Sequence, residues 1–415
     1  MAVRVNHGNL VEILTEELAQ VKITDIHTHL FSADFGELCL WGIDELLTYH
    51  YLVAEFFRWS SMCYREFFVL SKEEQADLIW QTLFLDHSPV SEAQRGVLTV
   101  LRSLGLDVGA RDLADYRAYL RSLDRRAIID MVLEISGVET VVMTNDPLDP
   151  IERRVWETVG NSDPRFRAAL RVDGLLNDYH TAREGLQSLG YEVGAVLDVR
   201  SAGEVQRFLR EWLRRMDGIY LAASLPYDFS LPEETLRARL IEECVLPVCA
   251  ELSVPFALMI GTKRQLNPEL RLAGDALGRG DVRAVEYLCA RYPDNKFLVT
   301  MLSRENQHEL AVAARKFPNL LVFGCWWFLN NPSLVEEITR LRLETLGLAF
   351  VPQHSDARVV EQLIYKWNHA KDVISTVLAD KYSDLLDTGW TLTRAEIGRD
   401  IKDLFGGNFW AFVEK

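Results

Sequence analysis

Eight short, continuous apolar runs constrain the fold of this chain more than any other feature; they lie at residues 21–26, 140–144, 167–172, 219–225, 254–260, 296–301, 320–323 and 348–352. Unbroken apolar runs of this length suit strands covered on both faces, as in a parallel sheet. Between the later runs lie amphipathic stretches with helical spacing, at 202–216, 232–252, 281–291, 303–317 and 333–346. Ser303 reads as a helix start, with Asn306 completing only part of a capping box. Strand–helix alternation implies a parallel sheet, and eight units imply closure into a (β/α)8 barrel of the TIM type. The expected class is α/β.

One segment breaks this rhythm. Residues 43–137 read as helical and aromatic-rich with no convincing strand, too long a stretch for a simple βα connection. The expected organisation is one structural domain in three parts: an N-terminal helix and first strand (1–42), a helical insertion or cap (43–137), and the rest of the barrel with C-terminal helices (138–415). The insertion carries Tyr49, His50, Tyr51, Arg58 and Trp59. Packing over one end of the barrel and supplying substrate contacts are both compatible with that content.

Composition narrows the function. A formal charge of −16 over 415 residues argues against nucleic acid or an anionic membrane as partner, so any anionic ligand needs a local cluster of arginines. No apolar run reaches 18 residues, and the polar N-terminal stretch with Glu12, Glu16 and Glu17 lacks a signal-peptide core. Cys39, Cys63, Cys244, Cys249, Cys289 and Cys325 form no CxxC pair and read as free thiols of a reducing cytoplasm. Cys325, beside Trp326, reads as a packing thiol.

In a barrel, chemistry is built where the strands end. His27 and His29 stand at the end of the first run; residues i and i+2 of a strand share a face, so both imidazoles can meet one cation while Thr28 turns away. Such nitrogens suit zinc and similar metals. The other strand ends supply Thr144, Asn145 and Asp146, then Arg171 and Asp173, Ser303 and Arg304, Trp326 and Trp327, and finally His354, Asp356 and Arg358. First and last strands are neighbours in a closed barrel, so Asp356 can complete a site of two histidines and one aspartate. Three protein ligands with open positions is the pattern of a catalytic zinc.

These motifs resemble the amidohydrolase superfamily and, in detail, the uronate isomerase family. The resemblance rests on Asp25-Ile26-His27-Thr28-His29, Tyr49-His50-Tyr51, Met143-Thr144-Asn145-Asp146-Pro147, Leu170-Arg171-Val172-Asp173, Trp326-Trp327-Phe328 and Ser355-Asp356-Ala357-Arg358, spread in order over nearly the whole chain. Hydrolytic relatives commonly place a lysine after the fourth strand and histidines after the fifth and sixth. Here those places hold Ser224-Leu225-Pro226, Met259 and Met301-Leu302, which implies one metal on three protein ligands in a divergent, shorter subgroup.

The resemblance implies an aldose–ketose isomerase. It would interconvert D-glucuronate and D-fructuronate, or D-galacturonate and D-tagaturonate, by moving a proton from C2 to C1 through an enediolate. Asp356 is then metal ligand and base, or holds the water that is the base. Arg358 stabilises the enediolate or assists ring opening, and His50 and Tyr51 relay protons or hold hydroxyls. Arg171 and Arg304 grip the carboxylate, and Trp326 and Trp327 wall the sugar. His354 reads as a partner standing behind the ligands. Plain packing competes for His50, Tyr51 and one of the two tryptophans, and a surface salt bridge competes for Arg304. The expected cofactor is one divalent metal, zinc by ligand type; the expected partners are a hexuronate and further copies of the chain. Two other functions fit parts of the pattern: a metal-dependent hydrolase or decarboxylase of the same superfamily, and a non-catalytic sugar-acid binding protein.

Overall fold

The computed structural model describes residues 3–415, leaving the first two residues of the N-terminal part outside the description. Seven parallel strands run in the order β1 (Ile23–Thr28), β2 (Val138–Asn145), β3 (Phe166–Arg171), β4 (Leu221–Pro226), β5 (Phe256–Lys263), β7 (Phe297–Met301) and β8 (Leu320–Val322). A two-residue strand, β6 (Ala276–Leu277), pairs antiparallel with the end of β5, which the apolar runs did not foretell. The strands are buried almost throughout, which is why their sequences are unbroken rather than alternating.

The eighth expected strand is absent as a strand. Of residues 348–352 only Val351 bridges, to Phe323. Pro352 has no N–H to give a ladder, and the chain turns at Asp356 with φ of 51°. The segment still closes the ring. On one side Gly324 N donates to Val351 O (2.8 Å); on the other Asp356 N donates to His27 O (3.2 Å) and His29 N to Ala357 O (2.8 Å).

Three cores form around this sheet. Inside the curl pack Ile26, Val142, Ala169, Ala222, Met259, Leu298 and Phe323. Outside β3 to β8 the opposite set, including Leu170, Ala223, Leu258 and Val299, meets the crossover helices. Between β1 and β2 the chain is helical from Ile43 to Ser136, with capping boxes at Ser71 and Ser91 starting two of the helices. Those helices share a core with the long helix Gln362–Asp387, which covers the outer side of β1. Among the described residues no helix is long and apolar enough to cross a membrane.

Candidate active site

A one-residue slip in β1 aims the two histidines. Between Asp25 and Thr28, β1 advances three residues while β2, from Val141 to Met143, advances two. Such a bulge turns a side chain to a new face. Asp25 lies on the outer side, where it accepts from Trp367 Nε1 (2.8 Å) and Ser355 N (3.0 Å). Ile26 packs inside. After the slip His27 also turns inward, its ring edge-on to those of His29 and His354 at 5.4 and 5.5 Å.

The structure brings His27, His29 and Asp356 together. Asp356 Oδ1 lies 3.6 Å from His27 Nε2 and 3.4 Å from His29 Nε2, and one ligand atom from each residue falls within 4.8 Å of the other two. Burial drives the pKa of His27 down to about 3 and those of His29 and His354 well below the usual value, so all three rings are neutral and keep a lone pair. Thr144 sets the tautomer of His29. Its hydroxyl is 2.9 Å from Thr28 O and 3.2 Å from His29 Nδ1. The carbonyl can only accept, so the hydroxyl proton goes there and the oxygen accepts Nδ1–H, leaving Nε2 bare toward Asp356.

The donors fit a metal. Both ring nitrogens of His27 and Oδ1 of Asp356 are buried without a hydrogen-bond partner; one shared cation would satisfy Oδ1 and one of the two nitrogens. Asp356 also holds a left-handed backbone that costs a non-glycine residue about 1–3 kcal/mol. Neighbours hold it there: Ser355 O accepts from Lys366 Nζ (2.5 Å) and Asn330 Nδ2 (3.3 Å), and Ser355 N is tied to Asp25. Burial raises the Asp25 carboxyl to about 6 and lowers Lys366 to about 8.

Beside the cluster opens a cavity of about 310 Å³, lined among others by His50, Tyr51, Glu55, Glu92, Asp275, Trp327, Asn330 and Tyr365. Trp327 Nε1 donates to His50 Nε2 (3.0 Å), so the neutral ring carries its proton on Nδ1, which is buried and unpaired. The Tyr51 hydroxyl is likewise buried and unpaired, and burial keeps it protonated. The Asp356 charge acts on both His50 and Tyr51, and Arg358 acts on His29, His50 and Tyr49.

The other expected residues divide. Arg171 is half-buried, bonds through Nε to Asp173, and its charge reaches His27 and His29. Both tryptophans belong to the core inside the curl with Phe323 and Val351; Trp327 in addition lines the cavity. Arg304 is exposed and pairs with Glu337 (3.0 Å), the surface salt bridge that competes with a substrate contact. Met259 is buried among apolar neighbours, and the three-residue group is the one metal-type cluster of His, Cys, Asp and Glu found among the described residues. Sequence reasoning assigned no role to Asp25, Lys366 or Trp367. An aspartate inside an apolar strand was a usable signal for Asp25; a lysine and a tryptophan on a long helix carry none.

No protein-family model matches the chain, and no curated protein matches it. Among solved structures, the uronate isomerase from Bacillus halodurans C-125 superposes with a TM-score of 0.97 at 54% identity, over 99% of this chain and 97% of that one. The uronate isomerase from Thermotoga maritima and the glucuronate isomerase from Caulobacter crescentus both superpose with a TM-score of 0.77, at 16% and 17% identity. Each covers 97% of this chain, and 97% and 94% of the respective relative is matched. At that identity the last two speak for the fold alone.

Proposed function

This chain belongs to the uronate isomerase family, and on that premise we propose that it interconverts D-glucuronate and D-fructuronate, D-galacturonate and D-tagaturonate, or both pairs. The observation that carries the reading is the 54% identity to a uronate isomerase over 99% of the chain. The chemistry moves a proton between C2 and C1 of the open-chain sugar. It needs a base, a stabiliser for the enediolate, and anchors for the remaining oxygens.

The residues divide that work. The Asp356 carboxylate takes the proton from C2 and returns it to C1. Arg358 offsets the negative charge that develops on the substrate oxygens. His50 Nδ1–H and the Tyr51 hydroxyl, both buried donors without a partner, hold the sugar oxygens and exchange protons with them. Arg171, oriented by Asp173, presents its remaining N–H groups at the reacting end. Trp327 supplies an apolar wall that excludes water. A divalent metal on His27, His29 and Asp356, zinc by ligand type, supplies Lewis acidity at this place. Six free cysteines favour a reducing cytoplasm, and we take the enzyme to act as a homo-oligomer.

Proton NMR of the metal-loaded protein with each uronate in D2O tests this. Ketose should form with the wild type and fall at least a thousandfold with Asp356→Asn, which keeps the shape and removes the base. Failure of the wild type to turn over either sugar, with metal content verified, would overturn the assignment.

A further inference from the structure

The Asp356 carboxylate stands on a strained backbone. Its φ is 51°, and a non-glycine residue keeps such a conformation only where the surrounding chain holds it there. One face of the long helix Gln362–Asp387 holds the turn from both sides. Gln362 and Lys366 lie four residues apart and so share that face. Lys366 Nζ donates to Ser355 O (2.5 Å), the carbonyl of the peptide that enters Asp356. Gln362 Oε1 accepts from Arg358 N (2.9 Å) and Val359 N (3.2 Å), beyond the turn. A donor and an acceptor from one helix thus bracket the segment that carries Asp356 and Arg358.

Gln362 is 2% exposed and Lys366 3%, so water does not compete for these bonds. The ammonium is the informative member of the pair. A neutral donor would suffice for fastening, and a buried charge is costly unless opposite charges face it. Burial works against this ammonium, and Asp356 first and Asp25 second support it. Among the described residues Ser355 O is its one hydrogen-bond acceptor, and Nζ stands 5.8 Å from the centroid of the Tyr51 ring. From behind the site, Lys366 therefore faces both the turn that carries the base and the ring of Tyr51.

We propose that Lys366 is a positioning residue for the reaction: with Gln362 it clamps the turn from Ser355 to Val359, and so sets the Asp356 carboxylate against the metal centre and Tyr51. The kinetic part rests on the isomerase reading above; the part that concerns metal geometry does not. The opposing account is a staple that only fastens the helix to the barrel. A staple lowers stability and leaves the folded site as it was, whereas a positioning residue changes the site in the folded protein.

The experiment uses the full chain as wild type, Lys366→Met, Lys366→Arg, Gln362→Leu and Ile374→Ala, with melting curves throughout. Ile374 is buried on the same helix about two turns beyond Lys366, so Ile374→Ala is the control for lost stability alone. Cobalt(II) loading gives a visible absorption that follows ligand geometry, and zinc affinity is read by competition with a chelator. The zinc-loaded proteins are assayed well below their melting temperatures for kcat and KM, with whichever uronate the wild type turns over. Lys366→Met should shift the cobalt spectrum, weaken zinc about tenfold to a hundredfold, and lower kcat by a similar factor with KM within about threefold. Lys366→Arg should recover part of each loss, because it restores a charged donor. Ile374→Ala should melt lower and match the wild type in all three. An unmoved cobalt spectrum or zinc affinity, a kcat within about threefold of wild type, or equal losses in Ile374→Ala overturns the inference. If Lys366→Met does not fold, Gln362→Leu is judged by the same criteria. A wild type that turns over neither uronate overturns the isomerase reading alone, and the cobalt and zinc readouts still decide whether the clamp shapes the centre.

Discussion

At the scale of single residues, the site is defined by polar atoms that burial leaves without a protein partner. His27 has two such nitrogens, Asp356 one oxygen, His50 one nitrogen and Tyr51 its hydroxyl. A folded chain keeps deficits of this size where a ligand relieves them. Thr144 shows how finely the deficit is directed: by accepting Nδ1–H it commits His29 Nε2 to the cluster. Thr144→Val keeps the size and removes that acceptor. Metal affinity, read by competition with a chelator, should fall about tenfold to a hundredfold, with little change in secondary structure. The histidine pair and Asp356 were legible in the sequence because their chemistry is tied to residue type and to the ends of apolar runs. The direction of each lone pair was not. It depends on a hydroxyl from another strand, 115 positions away.

At the scale of elements, the apolar runs located seven strands to within a few residues because full burial leaves a strong local pattern. The eighth run failed for a local reason: Pro352 and the left-handed Asp356 prevent a regular ladder. Its backbone still joins β8 to β1, so the ring closes through irregular chain, where Asp356 sits. Gly324, just past β8, shows why this junction tolerates so little. Its φ is +64°, and a Cβ built there would fall 1.7 Å from His354 Nδ1. His354 in turn packs edge-on to His27. Gly324→Ala should therefore cost about 2–4 kcal/mol, from overpacking and the left-handed backbone together. A lowered denaturant midpoint should accompany weaker metal binding as His354 pushes on His27. The slip in β1 is the other element-scale device that sequence patterning cannot show, because it arises from pairing with β2.

Across the whole molecule, the helical insertion and the barrel are tied at places where buried carboxyl groups pay a desolvation penalty. Glu361, just before the long helix, accepts from Gly42 N (2.6 Å) at the entrance to the insertion, and its Oε2 has no partner. Burial raises this carboxyl to about 7 from an ordinary 4.5. A raised carboxyl binds its proton more tightly when folded. Its contribution is whole below the unfolded value and is lost as pH rises from about 4.5 through about 7. Glu152, also at about 7, and Asp25 and Asp146, at about 6, act in the same direction, each raised first by burial. Glu361→Gln should flatten the pH profile of stability. Relative to wild type it should gain up to about 3 kcal/mol between pH 5 and 8, measured by urea unfolding at fixed metal content. A parallel profile for the two proteins would show that Glu361 does not titrate in this range.

The sequence by itself determined the α/β class, the helical character of the segment between the first two strands, and the ligand types of the candidate centre. Those features follow from period, burial and residue chemistry, which act over a few neighbouring positions. Tertiary structure decided the rest. It replaced the eighth strand with irregular chain, turned Asp25 outward and His27 inward, packed both tryptophans inside the curl with only Trp327 also reaching the cavity, and left Arg304 on a surface ion pair. It also set Lys366 and Trp367 behind the loop that carries Asp356. The reason is physical: where a side chain points, and whether its polar atoms are paired, depends on hydrogen bonds and packing between segments far apart in the chain. No local pattern encodes those partners.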